Sequence, residues 1–199
     1  MRVWGDAMDK KEITAFFDSL AEKWDSNQVR NEKVIEKILD LGGVCKGADV
    51  LDVACGTGVL FPDYFSRGVS SVTGVDISSQ MLVIAEDKYP EARLICADAE
   101  SFAFEGEYDA VMIYNAFPHF ASPSKLFENL SRVLKDGGRL TVAHGMSEKE
   151  LEKCHSGIAS RVSLPLPSKE RLAEIMSPYV NVDILISDEN MYMVSGVKR

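Results

Sequence analysis

One short segment constrains the fold of this chain more than any other: residues 50–58 read VLDVACGTG. An apolar run of this length is typical of a buried strand, and glycines after it allow backbone conformations that other residues disfavour. A helical pattern begins at about Val59. A strand, a glycine turn and a helix N-terminus in this order present backbone N–H groups to a polar ligand. The segment therefore predicts a ligand-binding strand–turn–helix unit.

Four further apolar runs follow, and helical patterns separate them. The runs occupy residues 71–77, 93–97, 108–114 and 138–144. Apolar runs without strict alternation are typical of strands buried on both faces of a parallel sheet. Strands that alternate with helices predict right-handed βαβ units and a doubly wound α/β fold. The helical patterns lie at residues 60–66, 78–88 and 124–135, and the last is expected to end in the glycine turn at 135–138.

The two ends of the chain depart from this alternation. Residues 182–186 and 191–197 are apolar runs separated by four residues, too few for a crossover helix. A hairpin is therefore expected, with at least one strand antiparallel to the rest of the sheet. Ahead of the sheet, residues 10–23 and 31–41 show helical periodicity. The first of these helices pairs with no predicted strand, which suggests a lid over the site.

The charge balance favours a small-molecule partner. The chain has 22 Lys and Arg against 31 Asp and Glu residues, a net charge of −9, and no basic cluster beyond its last two residues. Such a chain is repelled by phosphate backbones, so we expect no nucleic-acid partner. The absence of a long apolar run or an apolar leader predicts a cytoplasmic protein with no membrane partner. A homodimer is one option that the sequence leaves open.

Acidic residues end the two strands that follow the glycine turn. Asp76 lies 18 residues after Gly58, and Asp98 follows the third run. This spacing suits a carboxylate that accepts the ribose hydroxyls of an adenosine. A dinucleotide is disfavoured, because Phe61 occupies the position where that fingerprint requires a small third residue.

The segment 51–58, together with Asp76 and Asp98, resembles the S-adenosylmethionine site of class I methyltransferases. The resemblance covers nearly the whole chain and is closest to small methyltransferases of the ubiquinone and menaquinone biosynthesis type (methyltransferase type 11). Those proteins share a segment like residues 17–25 and a turn like residues 134–138. The family implies a Rossmann-like seven-stranded sheet in the order 3-2-1-4-5-7-6, with strand 7 antiparallel.

The resemblance also implies roles for individual residues. Asp52 and the turn from Ala54 to Gly58 would hold the methionine end, and Trp24 or Tyr114 would face the cationic sulfur. The donor-binding residues implied in this way are Trp24, Asp52, Ala54, Gly56, Gly58, Asp76 (ribose hydroxyls), Ile77 (adenine), Met81, Asp98 (adenine amino group), Ala99 and Asn115.

The three histidines His119, His144 and His155 fall in the connections after the fourth and fifth strands. Because ligands bind at the carboxyl ends of such strands, all three could line one pocket. Three interpretations stay open: scattered polar residues; a general base, with His119 favoured and His144 the second candidate; or a divalent transition-metal site built from all three.

The sequence therefore predicts S-adenosylmethionine-dependent methyl transfer to a small-molecule acceptor, with a metal as an open option. The alternatives are a non-catalytic S-adenosylmethionine-binding protein and a metal-binding protein on the same fold. One domain is expected over residues 1–199: N-terminal helices at 1–42, a donor-binding core at 48–145, and a substrate-side connection with the hairpin at 146–199. The loop at 163–168 would either wall the acceptor pocket or serve as a plain linker.

Overall fold

The computed structural model describes residues 9–27, 29–154 and 161–199, with the backbone alone for Asn27, Glu152 and Cys154. His155, one of the predicted metal ligands, lies outside the described residues. Seven α-helices and seven strands are found in the described ranges. The helices are α1 (Lys10–Trp24), α2 (Glu32–Leu41), α3 (Phe61–Ser66), α4 (Ser79–Lys88), α5 (Pro123–Arg132), α6 (Glu148–Cys154) and α7 (Lys169–Met176), and the strands are β1 (Asp49–Val53), β2 (Ser71–Asp76), β3 (Arg93–Cys96), β4 (Tyr108–Tyr114), β5 (Leu134–His144), β6 (Asn181–Ser187) and β7 (Tyr192–Val197).

The strands form one sheet in the order β3-β2-β1-β4-β5-β7-β6. The first five run parallel, and β7 pairs antiparallel with both β5 and β6. This confirms the doubly wound topology and the antiparallel hairpin expected from the sequence. Because the chain order reverses between β1 and β4, a crevice opens there at the carboxyl ends of the strands.

Helices cover both faces of the sheet, and alternate strand residues belong to two separate cores. On β1, Leu51 and Val53 pack in the core that also contains residues of α5 and α7. Val50 packs in the core that contains residues of α2 and α3. This period of two follows from the pleat of a strand, in which successive side chains point to opposite faces. The same alternation decides which face of the sheet each polar residue of the central strands occupies.

The structure corrects two details of the predicted elements. Helix α5 ends at Arg132 rather than at residue 135, because Leu134 is buried and already pairs with Tyr108 of β4. Residues 135–138, expected as a helix stop, instead form an irregularity within β5, and Gly137 adopts a φ of 76° there. Strand β3 lies at the sheet edge and is only partly buried, with Cys96 exposed at its end.

No helix in the described part of the chain is long and apolar enough to cross a membrane.

Candidate methyl-donor site

A cavity of about 480 Å³ opens at the carboxyl ends of the five parallel strands. This volume lies within the usual range for small-molecule sites, roughly 300–1,000 Å³. Each parallel strand contributes its last residue or the residues just after it. These contributions are Ala54 and Gly56 (after β1), Asp76 (β2), Asp98 and Ala99 (after β3), Tyr114 and Asn115 (β4) and Gly145 (after β5).

The glycine turn is held in the left-handed backbone region at three positions. Ala54, Gly56 and Gly58 have φ values of 58°, 55° and 78°. Gly56 lines the cavity, so its bare backbone faces the ligand space. Gly58 does not line it: a Cβ there would lie 2.8 Å from the ring of Phe61 and 2.9 Å from that of Tyr89. Gly58 is therefore required for the turn and for packing, whereas a side chain at position 56 would occupy space in the cavity.

Asp76 is anchored to the turn and points into the cavity. Its carboxylate accepts hydrogen bonds from the backbone N–H groups of Gly56 and Ser78, both at 2.8 Å. Burial raises the pKa of this carboxyl group, and the backbone N–H groups oppose that shift. A carboxylate oxygen has more than one lone pair, so Asp76 can also accept hydrogen bonds from a ligand.

The end of β3 carries a second carboxylate, paired with a cation from helix α1. The ammonium group of Lys10 lies 3.2 Å from Oδ1 of Asp98 and also contacts Glu100. Lys10 and Asp98 both line the cavity. The sequence interpretation did not identify Lys10, because its pairing partners lie about ninety residues away in the chain.

Helix α1 forms one wall of the cavity, in the position expected for a lid. Its inward residues include the aromatic side chains Phe16, Phe17 and Trp24. The carboxylate of Asp18 accepts the hydroxyl of Ser78 at 2.6 Å, at the start of α4. Just after α1, Asp25 accepts the hydroxyl of Thr57 at 2.5 Å in the glycine turn. These contacts connect the wall to the glycine turn and to the start of α4, the two segments whose N–H groups bind Asp76.

The ends of β4 and β5 are locked together by Asn115. This residue has a φ of 54°, an uncommon value for a non-glycine residue and one often found at functional sites. Its side-chain oxygen accepts a hydrogen bond from the backbone N–H of Gly145 at 3.0 Å. Its backbone N–H donates to the carbonyl oxygen of Ala143 at 2.9 Å. A Cβ on Gly145 would collide with the hydroxyl of Tyr114, so a larger residue there requires the Tyr114 ring to shift.

Of the two histidines that the structure describes, His119 lies in the cavity wall. Its Nδ1 lies 2.8 Å from the carbonyl oxygen of Val162 and 3.2 Å from the hydroxyl of Ser163. The ring of Phe17 packs edge-on at 4.9 Å. Because a carbonyl can only accept a hydrogen bond, the contact assigns the proton of the neutral ring to Nδ1. Nε2 is then the basic nitrogen. Val162 and Ser163 therefore hold the ring of His119 in the cavity wall.

Three of the other predicted site residues do not line the cavity: Asp52, Gly58 and His144. Asp52 faces the α3 side of the sheet, where Tyr64 donates to it at 3.2 Å. Burial raises the pKa of Asp52 to about 8. His144 is fully buried at the end of β5, with its ring 6.0 Å from that of Tyr192 in β7.

The predicted metal site is not assembled by the residues that the structure describes. His119 lies in the cavity wall, whereas His144 does not. Within 9–27, 29–154 and 161–199, no three histidine, cysteine or acidic side chains are grouped so that they could hold a metal ion. The remaining donor-site predictions all lie in the cavity wall: Trp24, Ala54, Gly56, Asp76, Ile77, Met81, Asp98, Ala99 and Asn115.

Comparison with known proteins agrees with this architecture. Residues 51–142 match the family model described as a methyltransferase domain. The magnesium protoporphyrin IX methyltransferase from Synechocystis PCC 6803, solved with bound S-adenosylmethionine, superposes with a TM-score of 0.70. That match covers 98% of this chain and 99% of the other at 17% identity, so it concerns the fold alone.

Two curated relatives show the range of proteins with similar sequences. The demethylmenaquinone methyltransferase of Renibacterium salmoninarum is 33% identical over 145 residues, which are 69% of this chain and 61% of that protein. The malonyl-[acyl-carrier protein] O-methyltransferase of Priestia megaterium is 32% identical over 127 residues, 58% of this chain and 44% of that protein. The match thus spans 61% of the length of the first relative and 44% of the second.

The sheet order and the cavity at the carboxyl ends of its strands define the class: this is a Rossmann-like fold of the class I methyltransferase type. Residues 51–142 match the methyltransferase domain family, which is the family that the sequence motifs indicated.

Proposed function

We propose that this chain transfers a methyl group from S-adenosylmethionine to a small-molecule acceptor, with His119 as the general base. One observation carries the proposal: Asp76 and Gly56 meet at 2.8 Å in the cavity wall, at the switch point of the sheet. There a carboxylate for ribose hydroxyls and a bare backbone for close approach lie side by side. The family match and the S-adenosylmethionine bound to a protein of the same fold support the same donor.

The residues of the cavity suit the chemical parts of this donor. Asp76 would accept the ribose hydroxyls, and Ile77 and Met81 would pack on the adenine. Asp98 would accept the adenine amino group, with the backbone of Ala99 beside it. The two carboxylates that line the cavity outnumber its one lysine among the described residues, which favours a ligand that carries a sulfonium.

Trp24 and Tyr114 would border the sulfonium. Both line the cavity, and Trp24 lies close to the glycine turn: its Nε1 is 3.7 Å from where a Cβ of Gly56 would stand. Burial raises the pKa of the Tyr114 phenol, so this group stays protonated at neutral pH. An aromatic face beside a desolvated cation is a favourable arrangement.

His119 would receive the proton that the acceptor loses. When bound, the donor supplies an electrophilic methyl on a sulfonium. Attack by an acceptor hydroxyl or thiol forms the new bond to that methyl, breaks the methyl–sulfur bond and leaves a neutral thioether. The acceptor proton moves to Nε2 of His119, which becomes an imidazolium stabilised by the carbonyl of Val162. Orientation of the acceptor by the cavity wall supplies a further part of the acceleration.

His144 has no role in this proton transfer, because its side chain is buried beside Tyr192 and outside the cavity wall. No step of the proposed reaction passes through a metal. A metal-assisted reaction would need metal ligands in addition to His119. Elemental analysis of untagged protein tests whether a metal is bound. A stoichiometric transition metal in the wild type that is lost in His119→Ala would show that a metal, rather than His119 as a base, activates the acceptor.

The decisive experiment follows S-adenosylhomocysteine formation when the protein is incubated with S-adenosylmethionine and a panel of small phenols, thiols, amines and carboxylates. We expect turnover with at least one acceptor and a large loss of turnover in His119→Ala. Donor binding without turnover on any acceptor would favour the non-catalytic alternative. No donor binding would contradict the proposal.

A further inference from the structure

Three apolar residues form a small cluster of their own, apart from the two cores of the sheet. Ile13 of α1 packs there with Val162 and Leu164, and all three side chains are buried. Phe16 and Phe17 of α1, which line the cavity, pack against this cluster. The packing of the two later residues therefore depends on α1.

The same later residues hold the proposed base. The carbonyl oxygen of Val162 lies 2.8 Å from Nδ1 of His119, and the hydroxyl of Ser163 lies 3.2 Å from the same nitrogen. The backbone N–H of Leu164 donates to the carbonyl oxygen of Pro118 at 2.7 Å, one residue before the histidine. These three consecutive residues therefore hold both the ring of His119 and the backbone beside it.

Helix α1 is also attached to the donor end of the cavity by contacts that do not involve the cluster. The carboxylate of Asp18 accepts the hydroxyl of Ser78 at 2.6 Å, and the backbone N–H of Ser78 binds Asp76. At the neighbouring position, Phe17 packs edge-on against His119, with 4.9 Å between the ring centroids. One helix therefore connects the donor site to the base, and a truncation within the cluster leaves its polar attachment in place.

We propose that Ile13 is a positioning residue for His119. By packing on Val162 and Leu164, Ile13 holds in place the carbonyl oxygen that keeps the proton of the neutral ring on Nδ1. Nε2 is thereby kept as the nitrogen that can accept a proton from the acceptor. This inference rests on the proposed function, in which His119 is the base.

The physical reason is that a neutral imidazole can carry its proton on either nitrogen, and the hydrogen bond of one nitrogen decides the form. A carbonyl that is held loosely no longer decides it. Nε2 then carries the proton in a share of the molecules, and those molecules have no basic nitrogen facing the acceptor.

The test observes the ring of His119 by ¹⁵N NMR in the full chain, prepared with ¹⁵N-labelled histidine and saturated with S-adenosylhomocysteine. A pH of about 8.5 is used, at which an imidazole with the ordinary pKa of about 6.5 is neutral. His119→Gln identifies the signals that belong to this ring. In the wild type we expect a fixed form with the proton on Nδ1, and a proton on Nε2 would overturn the inference.

Two truncations reach the cluster from opposite sides. Ile13→Ala shortens the residue of α1, and alanine favours helices, so the helical propensity of α1 is kept. Leu164→Ala shortens its partner, which does not line the cavity. In both variants we expect averaged ring ¹⁵N shifts, the sign of two exchanging tautomers. Leu164→Ala should bind S-adenosylhomocysteine within about threefold of the wild-type affinity, because distant sites affect each other little.

Leu20→Ala is the matched control, because Leu20 is an apolar residue of α1 that lines the cavity and lies outside the cluster. It should keep the proton on Nδ1. Ile13→Val removes one methyl group and should change the ring shifts less than Ile13→Ala does. A proton that stays on Nδ1 in Ile13→Ala or in Leu164→Ala would overturn the inference, as would averaged shifts in Leu20→Ala.

The same samples separate this inference from the proposed function. If the wild-type chain does not bind S-adenosylhomocysteine, the proposed function fails. If it binds S-adenosylhomocysteine and either truncation leaves the form of the His119 ring unchanged, the methyl-donor site stands and only the positioning role of Ile13 is wrong.

Discussion

The carboxylate of Asp76 accepts the backbone N–H of Gly56 at 2.8 Å, which ties the end of β2 to the turn after β1. This contact holds the turn, whose residue Ala54 has a φ of 58°, beside the group proposed to bind the ribose. The same side chain therefore shapes the site and would bind the ligand. Its removal should affect both properties.

Asp76→Ala removes the proposed ribose acceptor and leaves the N–H groups of Gly56 and Ser78 without this partner. Hydrogen bonds to charged groups contribute about 1.5–3 kcal/mol each, so donor affinity should fall by about a hundredfold or more. Calorimetric titration with S-adenosylhomocysteine measures this. Asp87→Ala, which removes an exposed carboxylate on α4, is the control. Donor affinity near that of the control would contradict the assignment of Asp76.

Asp52→Asn should change how stability depends on pH. Burial raises the pKa of Asp52 to about 8, well above the value of about 3.9 in an unfolded chain. The folded state therefore holds a proton that the unfolded state releases, so the free energy of unfolding of the wild type falls as pH rises from about 4 towards 8. Asparagine does not titrate, and its amide can still pair with Tyr64.

Thermal unfolding between pH 5 and 8 measures this effect. We expect Asp52→Asn to gain stability relative to the wild type as pH rises. Asp109→Asn is a control that should show no such trend between pH 5 and 8, because this carboxyl group titrates below its ordinary pKa of 3.8. Burial acts to raise the pKa of Asp109, but the N–H of Asp49 and the ammonium of Lys135 outweigh it and lower the pKa. The stabilisation from Asp109 is lost as pH falls through its lowered pKa. Parallel profiles for the wild type and Asp52→Asn would show that Asp52 is not a buried, protonated group.

Gly145→Ala should destabilise the chain through its contact with Tyr114. The new Cβ would lie 2.3 Å from the Tyr114 hydroxyl, and overpacking of this kind costs about 1–3 kcal/mol. Tyr114→Phe removes the oxygen that clashes. In a double-mutant cycle we expect the double variant to be more stable than the sum of the single effects predicts. Additive effects in denaturant unfolding would contradict the clash.

His119→Ala should lower turnover by about 10²–10⁴-fold, the usual contribution of a general base, with little change in donor affinity. The acidic limb that a general base gives to the kcat/KM profile should disappear in this variant. Ser163→Ala is the matched control, because it removes the hydroxyl 3.2 Å from Nδ1 and leaves the Val162 carbonyl in place. A profile of His119→Ala that keeps its acidic limb would assign the base elsewhere.

The sequence predicted the sheet well, because the strands and turns of this fold have strong local signals. The glycine turn, Asp76 and Asp98 define one end of the cavity, and all follow strands that the apolar pattern located. The run of four residues between β6 and β7 made the hairpin unavoidable. The end of α5 was placed wrongly, since the glycines at 137 and 138 belong to an irregularity in β5 rather than to a helix stop.

The directions of two polar side chains were harder to predict. On β1, Asp52 lies two residues after Val50 and therefore shares its face of the sheet. This face packs against α2 and α3. His144 shares a face of β5 with Val142, whose core also contains Tyr192. Strand periodicity assigns the two side chains to opposite faces of the sheet. Both faces contribute residues to the cavity wall, such as Val75 and Tyr114, so tertiary packing decides which side chains reach it. Lys10 and the Val162 carbonyl carried no such signal, because their roles depend on tertiary contacts.

Calorimetric titration of the purified chain with S-adenosylmethionine asks directly whether this cavity holds the methyl donor, on which every other proposal depends. We expect saturable binding of one donor per chain, abolished or strongly weakened in Asp76→Ala and retained in Asp87→Ala. The absence of donor binding by a folded wild-type chain would contradict the proposed methyl transfer.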